Sequence, residues 1–86
     1  MTVLIDPPTW LARGRLWSHL VSDISYDELH DFARRCGLPE RGFDRDHYDV
    51  PGEHYDALVA AGAVPTPGRE LVARLNAAGL RRRRGS

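Results

Sequence analysis

The chain has 86 residues, 42% of them hydrophobic and 28% charged, enough to fold one core and too apolar for a disordered chain. The single cysteine, Cys36, excludes an intrachain disulfide and the metal motifs that need cysteine pairs, so a reducing compartment is expected. No basic leader precedes a long apolar stretch, and the longest apolar run, residues 57–64, is broken by Gly62, so a cytoplasmic protein without membrane association is predicted.

The run Thr2-Val3-Leu4-Ile5-Asp6, stopped by Pro7-Pro8, reads as a buried strand with Asp6 at its carboxyl end. Beyond the turn residues around Gly14, residues 16–21 alternate. Leu16, Ser18 and Leu20 share one side and Trp17, His19 and Val21 the other, a second strand. Ser25-Tyr26-Asp27-Glu28 is a capping box, in which the Ser25 hydroxyl accepts from the Glu28 amide and Glu28 reaches back to the Ser25 amide. The helix it opens carries Leu29, Phe32, Ala33 and Cys36 inward and stops at Gly37 and Pro39.

Residues 40–46 read as a charged loop, and Asp46-His47-Tyr48-Asp49-Val50 as a short strand with His47 and Asp49 on the same side. A second helix is expected over 52–61 with Gly62 as its cap, then a short strand at 63–65. Thr66 as N-cap and Pro67 at the first helical position open a third helix with Leu71, Val72, Leu75 and Ala78 inward, ended by Gly79. The order β-β-α-β-α-β-α predicts one small layered α/β domain over residues 1–80, its short, mostly parallel sheet of about four strands joined by right-handed crossovers around three helices.

Residues 81–86 form a basic tail, expected to be disordered, that resembles a polyanion-binding arm and has the alternative of folding against the acidic body. With the four arginines of 81–84 set aside, eight arginines face twelve carboxylates, a net charge of −4. The excess gathers between Glu40 and Asp56, where Glu40, Asp44, Asp46, Asp49, Glu53 and Asp56 meet only Arg41 and Arg45.

In open α/β sheets, sites form beyond the carboxyl ends of strands, where Asp6 and the His47-Asp49 pair are expected. Imidazole and carboxylate together suit a divalent metal, with Asp6 or His19 completing the set; the plain reading of His47 and Asp49 is of surface groups beside a loop. His19, between Trp17 and Val21, is read equally as a hydrogen-bonded core histidine and as a site residue. Asp23 orients His19 or caps the following turn. His30 edges the apolar stripe of the first helix, and Cys36 reads as structural. Arg15 suits an anionic substrate through its guanidinium fork, and Trp17 suits a stacked ring, against the default of solvation for the one and core packing for the other. A phosphate-cradling glycine loop, a Ser-His-Asp order and a metalloprotease helix motif are absent.

The segments Val3-Leu4-Ile5-Asp6, Gly14-Arg15-Leu16-Trp17-Ser18-His19-Leu20-Val21-Ser22-Asp23, Glu28-Leu29-His30, His47-Tyr48-Asp49 and Gly62-Ala63 together resemble the domain-of-unknown-function family 4031, small stand-alone proteins of bacteria and phages. The resemblance covers almost the whole chain and brings no activity, substrate or cofactor with it. It implies that Asp6, Arg15, His19, Asp23, His30, His47 and Asp49 belong to one recurring polar set.

The leading expectation is a metal-dependent hydrolase of a phosphoester or nucleotide-type substrate. In it His19, His47 and Asp49 are catalytic; Asp6, His19, His47 and Asp49 hold Zn, Mn or Mg; Arg15 and Trp17 bind substrate; and Asp23 and His30 stand behind the ligands. An acid-rich site repels anions unless a cation offsets it, which is the electrostatic reason to expect a metal. The rival is a non-catalytic module for nucleic acid or a protein partner, with the polar set as a hydrogen-bond network. An exposed sheet edge leaves a homodimer open.

Overall fold

Alternation along one eight-residue strand, Arg15–Ser22, organises the fold. The elements of the computed structural model, which describes residues 2–82, are β1 (Val3–Ile5), β2 (Trp10–Ala12), β3 (Arg15–Ser22), α1 (Tyr26–Arg35), β4 (Phe43–Asp44), β5 (His47–Pro51), α2 (Tyr55–Ala60), β6 (Val64–Pro65) and α3 (Gly68–Ala77), with short 3-10 turns at Glu40–Gly42 and Gly52–His54. Leu20 of β3 packs with Ile5, Tyr48 and Val50 under Leu29, Phe32 and Ala33 of α1 and Leu58 of α2. Val21 points the other way and packs with Leu4 under Leu71 and Leu75 of α3. The sheet is thus the middle of three layers. Among the described residues, no helix is long and apolar enough to cross a membrane.

The sheet corrects the expected topology. Among the described residues it has six strands in the order β4-β5-β3-β1-β6, with β2 also on β3, and only the β1–β6 pair is parallel. Two hairpins account for the difference. Arg13 and Gly14, both with positive φ (53° and 75°), turn β2 into β3, the left-handed pair that a two-residue hairpin needs. The 40–46 segment is not all loop either: β4 pairs with β5 around Arg45, itself left-handed at φ 60°. That extra reversal makes β5 antiparallel to β3, where a bare α1 crossover would have left it parallel.

Helix α1 begins as expected, Ser25 Oγ accepting from Glu28 N at 3.1 Å, but the return arm is relayed. Glu28 accepts from Ser22 Oγ (2.5 Å), and Ser22 Oγ accepts from the Ser25 amide (3.2 Å). Thr66 makes no cap for α3; its hydroxyl donates to Val64 O, and Pro67 holds the N-cap position.

Strands β1 and β2 lie along the same side of β3 as one interrupted strand. Ile5 faces Leu20 and Trp10 faces Trp17, so residues 6–9 span the width of only Ser18 and His19. Pro7 and Pro8 have no amide to give the ladder. The His19 amide, left without a backbone acceptor, donates to Asp6 Oδ1 at 2.5 Å, while Asp6 N donates to His19 O at 3.2 Å. Gly52 fits against this loop: a Cβ there would meet Pro8 Cβ at 2.9 Å and Leu16 O at 3.2 Å.

Candidate metal centre

Helix α3 covers the Leu4 and Val21 end of its side of the sheet and leaves the rest partly exposed. His19 and Asp49 are register partners across β3 and β5, and His47 is two residues along β5 from Asp49, so period-two alternation brings all three to this open face. One ligand atom from each lies within 4.8 Å of the others, and the two imidazole rings meet edge-on at 5.1 Å. The group sits in the middle of the sheet, not beyond the strand ends.

Each imidazole is held at Nδ1 by a carboxylate. His19 Nδ1 stands 2.9 Å from Asp6 Oδ2, the same carboxylate that closes the ladder gap. His47 Nδ1 stands 2.7 Å from Asp46 Oδ1. An ionised carboxylate only accepts, so both Nδ1 atoms carry a proton; the Nε2 of His19 is left for another partner, and the Nε2 of His47 faces a second carboxylate, Asp49. This is the carboxylate–histidine arrangement that orients metal-binding imidazoles and raises their basicity.

Asp49 completes the set. Its Oδ1 is buried and lies 2.9 Å from His47 Nε2, yet it accepts no hydrogen bond of proper geometry. Burial works against a charge on His47, but the carboxylates of Asp49 and Asp46 on either side outweigh it and hold its pKa above 6.5. Asp46 is fully buried, which disfavours its charge. Hydrogen bonds from His47 and the Arg82 amide, with Arg81 nearby, nonetheless keep its pKa below 3.8. Two imidazoles and a carboxylate on one side of an ion are the ligand set of open catalytic sites for Zn, Mn or Fe, whereas Mg prefers oxygen alone. Ligands about 2.1 Å from a tetrahedral ion stand roughly 3.4 Å apart, so to share one the His47–Asp49 pair, at 2.9 Å, has to open by about half an ångström, and a pair near the 4.8 Å limit has to close by more than an ångström.

Aromatic residues flank this group. Trp10 is 43% exposed and stacks on His19 at 5.1 Å and 13°, with Trp17 beside it at 6.3 Å. A cleft of about 950 Å³ runs past Trp10, Trp17 and Asp49, and Arg13, Arg15, Arg35 and Arg41 line it. Of these, Arg15 pairs with Glu53 at 3.4 Å and Arg35 with Asp31 at 3.2 Å, and the carboxylates of Asp44 and Asp49 share the same wall.

Of the residues named from sequence, Asp6, His19, His47 and Asp49 are brought together. Trp17 lines the cleft with its indole N–H donating to Ala12 O at 2.9 Å, and Arg15 sits over the Trp17 ring at 5.8 Å while pairing with Glu53 at 3.4 Å. Two others lie elsewhere. Asp23 pairs with Arg74 of α3 at 2.5 Å. His30 is on the opposite side of the sheet, its Nδ1 2.7 Å from the Tyr48 hydroxyl. Cys36 packs against the α1 side of the core. Sequence reasoning passed over Asp46, whose one signal is its place next to His47. The basic tail is expected to be disordered, with folding against the acidic body as the alternative; Arg81 and Arg82 lie against Asp46, and the rest of the tail, residues 83–86, is outside the described residues.

A family model described as "Protein of unknown function (DUF4031)" matches residues 3–78. No curated protein and no solved structure matches the chain.

Proposed function

We propose that this chain, which belongs to the DUF4031 family, binds one divalent cation, Zn or Mn, through His19 Nε2, His47 Nε2 and the Asp49 carboxylate, and hydrolyses a phosphoester of nucleotide type in the adjoining cleft. The observation that carries the reading is the pair of carboxylates at the imidazole Nδ1 atoms, Asp6 on His19 and Asp46 on His47, beside the buried Asp49 carboxylate, with one ligand atom from each of His19, His47 and Asp49 within 4.8 Å of the others. A cation there lowers the pKa of a coordinated water toward neutrality and polarises a phosphoryl oxygen. The chain's own part is to orient the ligands, to hold the anionic substrate with Arg13 and Arg15, and to stack its ring on Trp10. Water adds to phosphorus, the ester P–O bond breaks, and the leaving oxygen takes the proton.

The rival, a binding module whose polar set is a hydrogen-bond network, draws on the way His47 is flanked by carboxylates at both nitrogens. Metal titration of chelator-treated protein separates the two. The proposal expects one Zn or Mn ion per chain and a rise in melting temperature that His47→Ala removes, and hydrolysis of bis(p-nitrophenyl) phosphate that His19→Ala and chelator abolish. Absence of stoichiometric metal overturns the proposal; metal binding without phosphodiester cleavage overturns its hydrolytic half.

A further inference from the structure

The Asp46 carboxylate has two oxygens and two tasks. Oδ1 holds His47 Nδ1, and Oδ2 accepts from the main-chain amide of Arg82 at 2.8 Å, with Arg81 Nη1 at 3.4 Å. Asp46 is fully buried, and in the turn between β4 and β5 its own amide donates to Asp44 O at 2.6 Å. The segment that reaches it is fastened beforehand. The Tyr26 hydroxyl of α1 donates to Leu80 O, and the Arg82 guanidinium lies over the Tyr26 ring at 4.5 Å. A cation over a ring face in this range is attractive.

From this chain of contacts we infer that residues 80–82 form a strap that completes the metal centre from behind, Asp46 being a positioning residue that the Arg82 amide fixes so that His47 keeps a proton on Nδ1 and turns Nε2 toward Asp49. The inference rests on the metal-binding reading for its effect on affinity, and on geometry alone for its effect on the ring. A buried carboxylate that loses its Oδ2 partners turns to find others, and its hold on the imidazole loosens with it. The contact is made by main chain, so side-chain identity at position 82 matters less than the presence of an N–H there. The arginine-rich terminus thereby acquires a role inside the fold, separate from any polyanion it meets outside.

Two substitutions at one position separate these ideas. Arg82→Pro removes the N–H and Arg82→Ala keeps it; Asp46→Asn is the companion, since its amide oxygen retains one acceptor. In the metal-free full-length chain, long-range ¹H–¹⁵N NMR of the neutral imidazoles reads the tautomer directly. The strap predicts His47 as Nδ1–H in the parent and in Arg82→Ala, and a mixture of the two tautomers in Arg82→Pro and Asp46→Asn, with His19 unchanged throughout. Competition titration with Zn then predicts roughly 10- to 100-fold weaker binding for Arg82→Pro and Asp46→Asn, and Arg82→Ala close to the parent. A His47 tautomer that is unmoved in folded Arg82→Pro overturns the strap even if the parent binds Zn. A parent that binds no Zn sinks the metal reading, and the NMR comparison still decides the strap. Equal loss in Arg82→Ala and Arg82→Pro also overturns it, because the side chain would then be the agent.

Discussion

Asp6 carries two separable functions, and two substitutions pull them apart. Its Oδ1 closes the ladder by accepting from the His19 amide, and its Oδ2 orients the His19 ring. Asp6→Ala deletes both contacts at a side chain only 13% exposed and leaves a main-chain donor without a partner. An orphaned, poorly solvated donor and a lost charged acceptor cost about 1–3 kcal/mol each, so a destabilisation of about 2–6 kcal/mol is expected. In a domain of this size each kcal/mol moves the melting temperature by about 4–8 °C, which predicts a fall of roughly 10–50 °C. Asp6→Asn is different. Its carbonyl oxygen still takes the His19 amide, but its NH₂ group then faces Nδ1 and drives the proton to Nε2, the nitrogen a metal needs. It should lose about 1 kcal/mol of stability and 10- to 100-fold in Zn affinity. Thermal unfolding by circular dichroism in chelator, with Zn titration of the same samples, reads both. An Asp6→Asn protein that binds Zn as tightly as the parent, or an Asp6→Ala protein that melts with it, would refute the reasoning.

Leu29→Ala empties a fully buried site between α1 and the sheet and should cost about 3 kcal/mol, measured by urea unfolding; a loss below about 1 kcal/mol would deny Leu29 its place in the core. Gly52→Ala drives a methyl group against the rigid Pro8 ring and Leu16 O, so a loss of about 1–3 kcal/mol is expected, with weakened Zn binding because the displaced loop carries Asp6; unchanged values would show that the loop has room. Stability of the metal-free protein should peak in mildly acidic solution. His47, faced by Asp46, Asp49 and the His19 ring, has its pKa raised, so its contribution is complete below pH 6.5 and is lost as pH rises through the folded-state value. Asp46, faced by His47, Arg81 and the Arg82 amide, has its pKa lowered, so its contribution is present above pH 3.8 and is lost as pH falls through its own folded-state value. Urea midpoints across a pH series check both flanks, and His47→Ala should flatten the alkaline one.

What sequence reasoning recovered were the elements whose signals are local. The Ser25 cap and the Leu29, Phe32, Ala33 stripe delimit α1, and the alternation of 16–21 gives β3 and the side on which His19 lies. What it missed depends on turns without the usual residues. Arg13 and Arg45 occupy left-handed positions where asparagine, aspartate or glycine would announce a hairpin, so β2 and β4 read as loop and the sheet as parallel. The gathering of Asp6, His19, His47 and Asp49 was anticipated for a reason that did not apply, strand ends, and arises instead from cross-strand register on an uncovered face. Asp46 was invisible because its importance comes from residues 81 and 82, distant along the chain and close in space.

The four-residue interruption opposite His19 has an evolutionary corollary. Because one carboxylate both mends the sheet and aims the imidazole, mutational drift at that position is filtered twice, by folding and by ligand orientation. A lineage with no use for the oriented ring would still retain the aspartate for its architecture. The imidazole it aims, whose own amide serves any residue equally, would be the first of the two free to change.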